Sequence, residues 1–240
     1  MTQLKLAALF PATFNLNADV ANLRVLAKRL SISGLTVSTE NVSSDFSVNP
    51  SDLDFLVIGS PSSSNLLGVA DMLKPLRTFV SAAIDNGTTI LAVNGGLHLL
   101  GEITGTAGEK LPGLGLLPIQ TRIGGKRMVT IGAEVELGEY SIFGVENHDA
   151  TVRIPDNAEL GRVVHGHGNN HSGVDGFRSG NIWGTHLHGP VFALNPKFAD
   201  EVATQVASHR GQSYATNAEH SELDRLSEIA AKHLVERRGK

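Results

Sequence analysis

The first hundred residues alternate apolar strand segments with helix signals at short spacing, and this alternation most constrains the fold. Strands are predicted at residues 4–10, 35–42, 53–58 and 88–93, with helices at residues 19–30 and 66–86. Asp19 is predicted to cap the first of these helices. The continuous apolar run at 53–58 indicates a strand that is covered on both faces. Because strands alternating with helices build parallel sheets with helical cover, we predict an α/β fold.

The residues after Gly101 have a different character, with frequent glycines and few helix signals. Short strands are predicted at residues 128–131, 141–145, 162–164 and 182–187, and two helices, at 197–209 and 221–238, follow them. No internal repeat or clear linker divides the sequence. Its length of 240 residues is within the range of one large domain, so we predict a single domain over residues 1–240.

Charge, hydropathy and cysteine content exclude several classes of function. The net charge is −4 and no cluster of basic residues could neutralise a run of phosphates, so we expect no nucleic-acid partner. No apolar run has the length of a membrane span and the N-terminus does not resemble a signal peptide. We therefore expect a cytoplasmic protein with no membrane insertion. The absence of cysteine excludes disulfides, thiolate metal sites and a cysteine nucleophile.

The most informative segment is ILAVNGGLHL at residues 90–99, where an apolar strand runs directly into two glycines and a helical pattern. Asn94 therefore falls on a sharp strand-to-helix turn. In enzymes with a nucleophile elbow, this turn presents the attacking side chain. The pattern is also compatible with an ordinary strand–helix turn, since these turns use glycine too. Asn94 and Gly95 additionally form a dipeptide prone to deamidation.

This segment resembles the nucleophile segment of class I glutamine amidotransferases, in their CobB/CobQ-like branch. The same family's segments are matched in order by NLNAD at 15–19, GLGLL at 113–117, GVENH at 144–148, GHGNN at 166–170 and GTHLHGP at 184–190. Within the branch the likeness is greatest to the GatD-type glutaminase subunits of lipid II isoglutaminyl synthases. The resemblance implies a three-layer amidotransferase fold with a mostly parallel central sheet.

In this family the elbow residue is a cysteine that attacks the side-chain amide of L-glutamine, and the histidine of the His-Gly-Pro segment is its base. The resemblance places Asn94 at the nucleophile position and His188 at the base position. An amide is a poor nucleophile, and no other cysteine can replace it. The resemblance also implies substrate-binding positions at Arg127, Gly59 and Gly95.

Two further departures accompany the change at the elbow. The family has consecutive glycines after the third strand, whose N–H groups stabilise the oxyanion, whereas this chain has Pro61, which has no N–H. His98 stands near the glutamine of the family's elbow helix. The serines at residues 62–64 could supply a hydroxyl nucleophile, although a serine-rich loop is more often a turn.

These three departures together predict a degenerate glutaminase. We expect it to act as a binding or regulatory subunit of a Mur-ligase-like, MurT-type partner in peptidoglycan precursor amidation, with no cofactor and no metal of its own. An active subunit that delivers ammonia from glutamine by a route without cysteine remains the alternative.

The histidines support a second alternative, because seven of the ten lie between positions 98 and 188. The close pairs are His165 with His167 and His186 with His188. Residues two apart on a strand face the same way, so each pair could present two imidazoles to one zinc or iron ion. With Glu146, Asp149 or Asp175 as oxygen ligands, such a site would indicate a metal-dependent hydrolase.

Overall fold

A computed structural model describes residues 3–62 and 68–238 of the chain. The strands are β1 (Leu4–Leu9), β2 (Val37–Val42), β3 (Phe55–Ile58), β4 (Thr89–Val93), β5 (Glu102–Thr104), β6 (Lys110–Leu111), β7 (Gln120–Arg122), β8 (Met128–Leu137), β9 (Tyr140–His148), β10 (Thr151–Arg153), β11 (Gly161–His165), β12 (Val174–Asp175), β13 (Phe177–Ser179), β14 (Ile182–Thr185) and β15 (Leu187–His188). The α-helices are α1 (Ala21–Ile32), α2 (Leu73–Asp85), α3 (Gly95–Leu100), α4 (Val191–Leu194), α5 (Pro196–His209) and α6 (Ala218–Val235).

The central sheet has six strands in the order β13-β14-β4-β3-β1-β2, and every neighbouring pair is parallel except β13 with β14. One face packs against α1 and α5, and the other against α2 and α3. All four residues of β3 and all five of β4 are buried, which explains their uninterrupted apolar sequences. The predicted three-layer α/β fold with a mostly parallel central sheet is confirmed.

Two smaller sheets are formed mainly by the glycine-rich second half of the chain. One is antiparallel, in the order β12-β11-β8-β9-β15, and the other has the order β10-β7-β5-β6. The antiparallel sheet meets the central sheet through β15, which pairs Leu187 with Glu146 and His188 with Val145 of β9. This connection brings residues of β9 to the carboxyl end of β4.

Several predicted element boundaries need correction. The strand predicted at 182–187 is two strands, β14 in the central sheet and β15 in the antiparallel one. The helix predicted at 66–86 is a 3-10 turn at Ala70–Met72 followed by α2, while residues 66 and 67 lie outside the described residues. Residue 19 does not cap α1, because Val20 precedes the helix and makes no side-chain cap. Within the described ranges, no helix is long and apolar enough to cross a membrane.

Candidate active site

Asn94 lies on the turn between β4 and α3 with φ 44° and ψ −107°. This conformation is uncommon for a residue other than glycine and is typical of strained functional turns. The turn is packed so closely that a Cβ at Gly96 would lie 2.2 Å from the Ile58 carbonyl oxygen, and a Cβ at Gly95 would lie 2.8 Å from Pro61 Cδ. Close packing at the elbow therefore requires both glycines, Gly96 against a backbone carbonyl and Gly95 against the ring of Pro61.

The side chain of Asn94 belongs to a buried row of three residues. Its Nδ2 lies 3.0 Å from His188 Nε2, and His188 Nδ1 lies 3.0 Å from Asp19 Oδ1. Because a carboxylate only accepts, His188 Nδ1–H donates to Asp19 and its Nε2 accepts from the amide of Asn94. All three side chains are at least nine-tenths buried. The structure thus brings the two predicted catalytic positions into direct contact and adds a carboxylate that orients the histidine.

Asp19 also connects this row to the loop after β3. Its Oδ2 accepts a hydrogen bond of 3.0 Å from the backbone N–H of Ser60, whose hydroxyl donates to the Val93 carbonyl over 3.0 Å. The Ser60 N–H is therefore already engaged, and Pro61 has no N–H. Gly59 is held by close packing, because a Cβ there would lie 2.1 Å from the Phe14 carbonyl oxygen.

Arg127 reaches the elbow through one intermediate residue. Its Nε donates to Asn147 Oδ1 over 2.9 Å, and the Asn147 carbonyl oxygen accepts from Asn94 Nδ2 over 3.3 Å. The guanidinium side chain is exposed. Arg127 is thus positioned beside the elbow, and its role in binding a substrate carboxylate remains a prediction.

A second buried network lies next to the elbow helix. Asp175 accepts from His186 Nδ1 over 2.8 Å, so His186 Nε2 accepts in turn from His98 Nε2 at 3.2 Å. His148 stacks on His186 with ring centroids 4.4 Å apart. Burial lowers the pKa of His98 well below its usual value, and the neighbouring imidazoles lower it further. Burial also lowers the pKa of His186 despite its carboxylate partner, so both rings are neutral at pH 7.

Glu146 anchors the other end of this network. It accepts from His148 Nε2 over 3.1 Å and from the backbone N–H groups of His167 and Gly168 over 2.8 and 2.6 Å. Burial alone would raise the pKa of Glu146, but these donors outweigh it and lower the pKa to about 2. The carboxylate therefore ties the loop at 166–168 to β9, beside the elbow.

The structure does not bring the histidine pairs together as metal ligands. His186 and His188 hydrogen-bond to different carboxylates, those of Asp175 and Asp19, and His167 lies 3.3 Å from His171 between Nδ1 atoms. Among residues 3–62 and 68–238, no group of three or more His, Cys, Asp or Glu residues has an arrangement that could hold a metal ion. Of the predicted serine nucleophiles, residues 63 and 64 lie outside the described residues.

The prediction that Asp19 caps the first helix was wrong. An Asp directly before an apolar helical pattern favours a helix cap, because its side-chain oxygen can accept from the unpaired N–H groups of the first helical turn. Its carboxylate instead contacts His188, which is 169 positions away in the chain. The NLNAD segment of the family resemblance was the available signal for this role.

A parallel sheet with an elbow after a central strand, facing an Asp-oriented histidine, is the arrangement of an α/β protein of the nucleophile-elbow class. Solved structures with the same fold include a glutamine amidotransferase at TM-score 0.55, with 16% identity, covering 82% of this chain and 98% of that one. Another, from Thermotoga maritima, has TM-score 0.52 and 13% identity, and covers 98% of this chain and 95% of that one.

The family follows from the sequence comparisons. The chain belongs to the CobB/CobQ-like glutamine amidotransferase domain family, whose model matches residues 5–196. It is similar to the GatD subunit of the glutamine-hydrolyzing lipid II isoglutaminyl synthase of Staphylococcus aureus, with 28% identity over 92% of this chain and 90% of that protein. The GatD subunit of Streptococcus pneumoniae is 29% identical over 80% of this chain and 75% of that protein.

Proposed function

We propose that this protein is a GatD-like subunit that has lost ordinary glutaminase chemistry. It would bind or regulate a Mur-ligase-like partner that uses free ammonia to amidate a peptidoglycan precursor. The observation that carries the proposal is the side-chain amide of Asn94 at the elbow, hydrogen-bonded to His188 in a chain without cysteine.

The row Asp19–His188–Asn94 has the components of a triad except the nucleophile. In a working triad the base accepts a proton from a thiol or hydroxyl, which then attacks the substrate carbon. Here the proton donated to His188 Nε2 comes from an amide nitrogen. The lone pair of this amide nitrogen is delocalised into the adjacent carbonyl group, so Asn94 cannot attack glutamine to form the covalent acyl intermediate that a cysteine forms.

The loop after β3 also supports the loss of glutaminase chemistry. A tetrahedral intermediate needs N–H donors that point at its oxyanion, and removal of one donor costs about two to three orders of magnitude in rate. The Ser60 N–H is already bound to Asp19, and Pro61 supplies no donor. Two successive positions of this loop are thus unavailable for stabilising an oxyanion.

The proposed assembly rests on the likeness to the curated relatives. The chain aligns with nine-tenths of the Staphylococcus aureus subunit, whose name describes it as part of a lipid II isoglutaminyl synthase. In such an assembly the ligase binds ATP and the acceptor, so this chain requires no cofactor site of its own. In this proposal the site beside Arg127 is where L-glutamine would bind.

The test is a comparison of two nitrogen sources. The protein is co-purified with its Mur-ligase-like partner, and acceptor amidation is measured with ammonium or with glutamine at equal concentration. We expect amidation with ammonium and none above background with glutamine. Amidation with glutamine that His188→Ala abolishes, while the ammonium reaction continues, would instead establish the alternative of an active subunit with a non-cysteine route.

A further inference from the structure

We propose that Asn94 is a self-modification site, at which the elbow converts the side-chain amide into a carboxylate with release of one ammonia. The conversion proceeds through a cyclic imide with the backbone nitrogen of Gly95. It combines three features of the described residues: the backbone geometry of Asn94, the absence of a side chain at Gly95, and the contact between the leaving nitrogen and His188.

The backbone geometry favours ring closure. Tetrahedral bonding at Cα places Cβ about 120° around the Cα–C bond from the residue's own nitrogen. A ψ near about −120° therefore turns the next backbone nitrogen to the same side as Cβ. Asn94 has ψ −107°, close to that value. The nitrogen of Gly95 thus faces the side chain that it must attack, and no Cβ at residue 95 shields it.

The hydrogen bonds of the Asn94 side chain are made by Nδ2, the nitrogen that must leave. Nδ2 contacts His188 Nε2 at 3.0 Å and the Asn147 carbonyl at 3.3 Å. Oδ1 is buried and has no hydrogen-bond partner among the residues that the structure describes. The Asp19–His188 pair thus stands where a general acid would deliver a proton to departing ammonia.

The chemical steps balance with water as the only co-reactant. The Gly95 nitrogen forms a bond to Asn94 Cγ, and its proton passes through water to His188 Nε2, which carries none at rest. The bond from Cγ to Nδ2 then breaks, and the nitrogen leaves as ammonia after taking that proton from His188 Nε2, which returns to its neutral form. Water next hydrolyses the imide, which frees the Gly95 nitrogen and leaves a carboxylate on residue 94, or an isoaspartyl linkage if the other carbonyl is attacked.

The chain contains its own matched control. Asn86 and Gly87 form a second Asn-Gly dipeptide, but Asn86 has ψ −15°, and its Nδ2 donates to Leu53 O and Thr88 Oγ1. At that helical ψ the nitrogen of Gly87 points away from the side chain. The two sites share the Asn-Gly dipeptide but differ in ψ and in what a histidine contacts: His188 Nε2 lies against the leaving nitrogen of Asn94, whereas His209 Nε2 lies 2.9 Å from the backbone carbonyl oxygen of Asn86.

The experiment follows both sites by peptide mass spectrometry in one sample. Purified full-length protein is incubated, and conversion of amide to carboxylate is measured at residues 94 and 86 over time. We expect residue 94 to convert faster than residue 86 in the folded protein, and both to convert at similar rates in concentrated urea. We expect His188→Gln to slow conversion at residue 94 by about a hundredfold without changing residue 86.

Two further measurements keep the test decisive. Asp19→Asn leaves His188 in place but removes the carboxylate that orients it, so conversion at residue 94 should also slow. If either variant unfolds, the rate at residue 86 rises to its value in urea, and the other variant then decides. The proposal is overturned if residue 94 stays an amide in folded protein while residue 86 converts, or if neither folded variant changes the rate at residue 94.

Discussion

Replacing Glu146 by glutamine should reduce stability in a pH-dependent manner. The side chain is 2% exposed and its carboxylate accepts from His148, His167 and Gly168. These donors lower its pKa in the folded protein from 4.5 to about 2. Since the folded pKa lies below the unfolded one, the carboxylate stabilises the fold fully above pH 4.5, and this contribution is lost as the pH falls toward 2.

The magnitude follows from the difference between the two pKa values. A pKa difference from 4.5 to about 2 corresponds to about 3 kcal/mol of free energy of unfolding. At pH 7 we therefore expect Glu146→Gln to be less stable than wild type by about this amount. The gap should narrow continuously as the pH falls below 4.5, because the wild-type side chain is then becoming neutral as well.

The assay is urea denaturation at a series of pH values, with the free energy of unfolding extrapolated to water. Glu228→Gln, on the exposed face of α6, is the matched control for loss of one negative charge. We expect that control to change stability by less than about 0.5 kcal/mol. A gap between wild type and Glu146→Gln that stays constant from neutral to acid pH would refute the reasoning, since it would place the cost in packing and not in the carboxylate.

Two other predictions concern the elbow and its neighbouring loop. Asn94→Cys should create glutamine hydrolysis that depends on His188, measured as ammonia release. Adding Pro61→Gly to this variant should raise the rate of hydrolysis by about a further hundredfold. Equal rates for the single and double variants would contradict the proposed defect in the loop after β3. Gly59→Ala should destabilise the fold by about 3 kcal/mol in denaturant unfolding because its Cβ would lie 2.1 Å from a carbonyl oxygen. Gly68→Ala, whose Cβ would meet no described residue within 4 Å, should leave stability within about 0.5 kcal/mol of wild type.

The central sheet was the most predictable part of the fold. Strands such as β3 and β4 are buried on both faces, so their sequences are continuously apolar and stand out from their surroundings. Strands such as β5, β6 and β7 were not predicted. Each has two or three residues, and they form only because partners elsewhere in the fold supply the hydrogen bonds.

The site was predictable where its residues lie in short motifs. Asn94 follows an apolar strand and precedes two glycines, and His188 lies in a family segment, so both were identified from sequence. Asp19 and the Asp175–His186–His98 network were not, because their contacts join residues far apart in the chain. The residues that flank an Asp in the sequence indicate only a helix cap or a surface charge. The histidine that it contacts is fixed by tertiary packing, which the local sequence does not show.

The most direct test of the loss of glutaminase chemistry is steady-state ammonia release from L-glutamine by the wild-type protein, alone and in complex with its ligase partner. We predict no turnover, with any ammonia limited to about one equivalent per chain from residue 94 and independent of glutamine concentration. Sustained release over many equivalents that rises with glutamine and disappears in His188→Ala would contradict this prediction, because it would show that the site catalyses hydrolysis without a thiol.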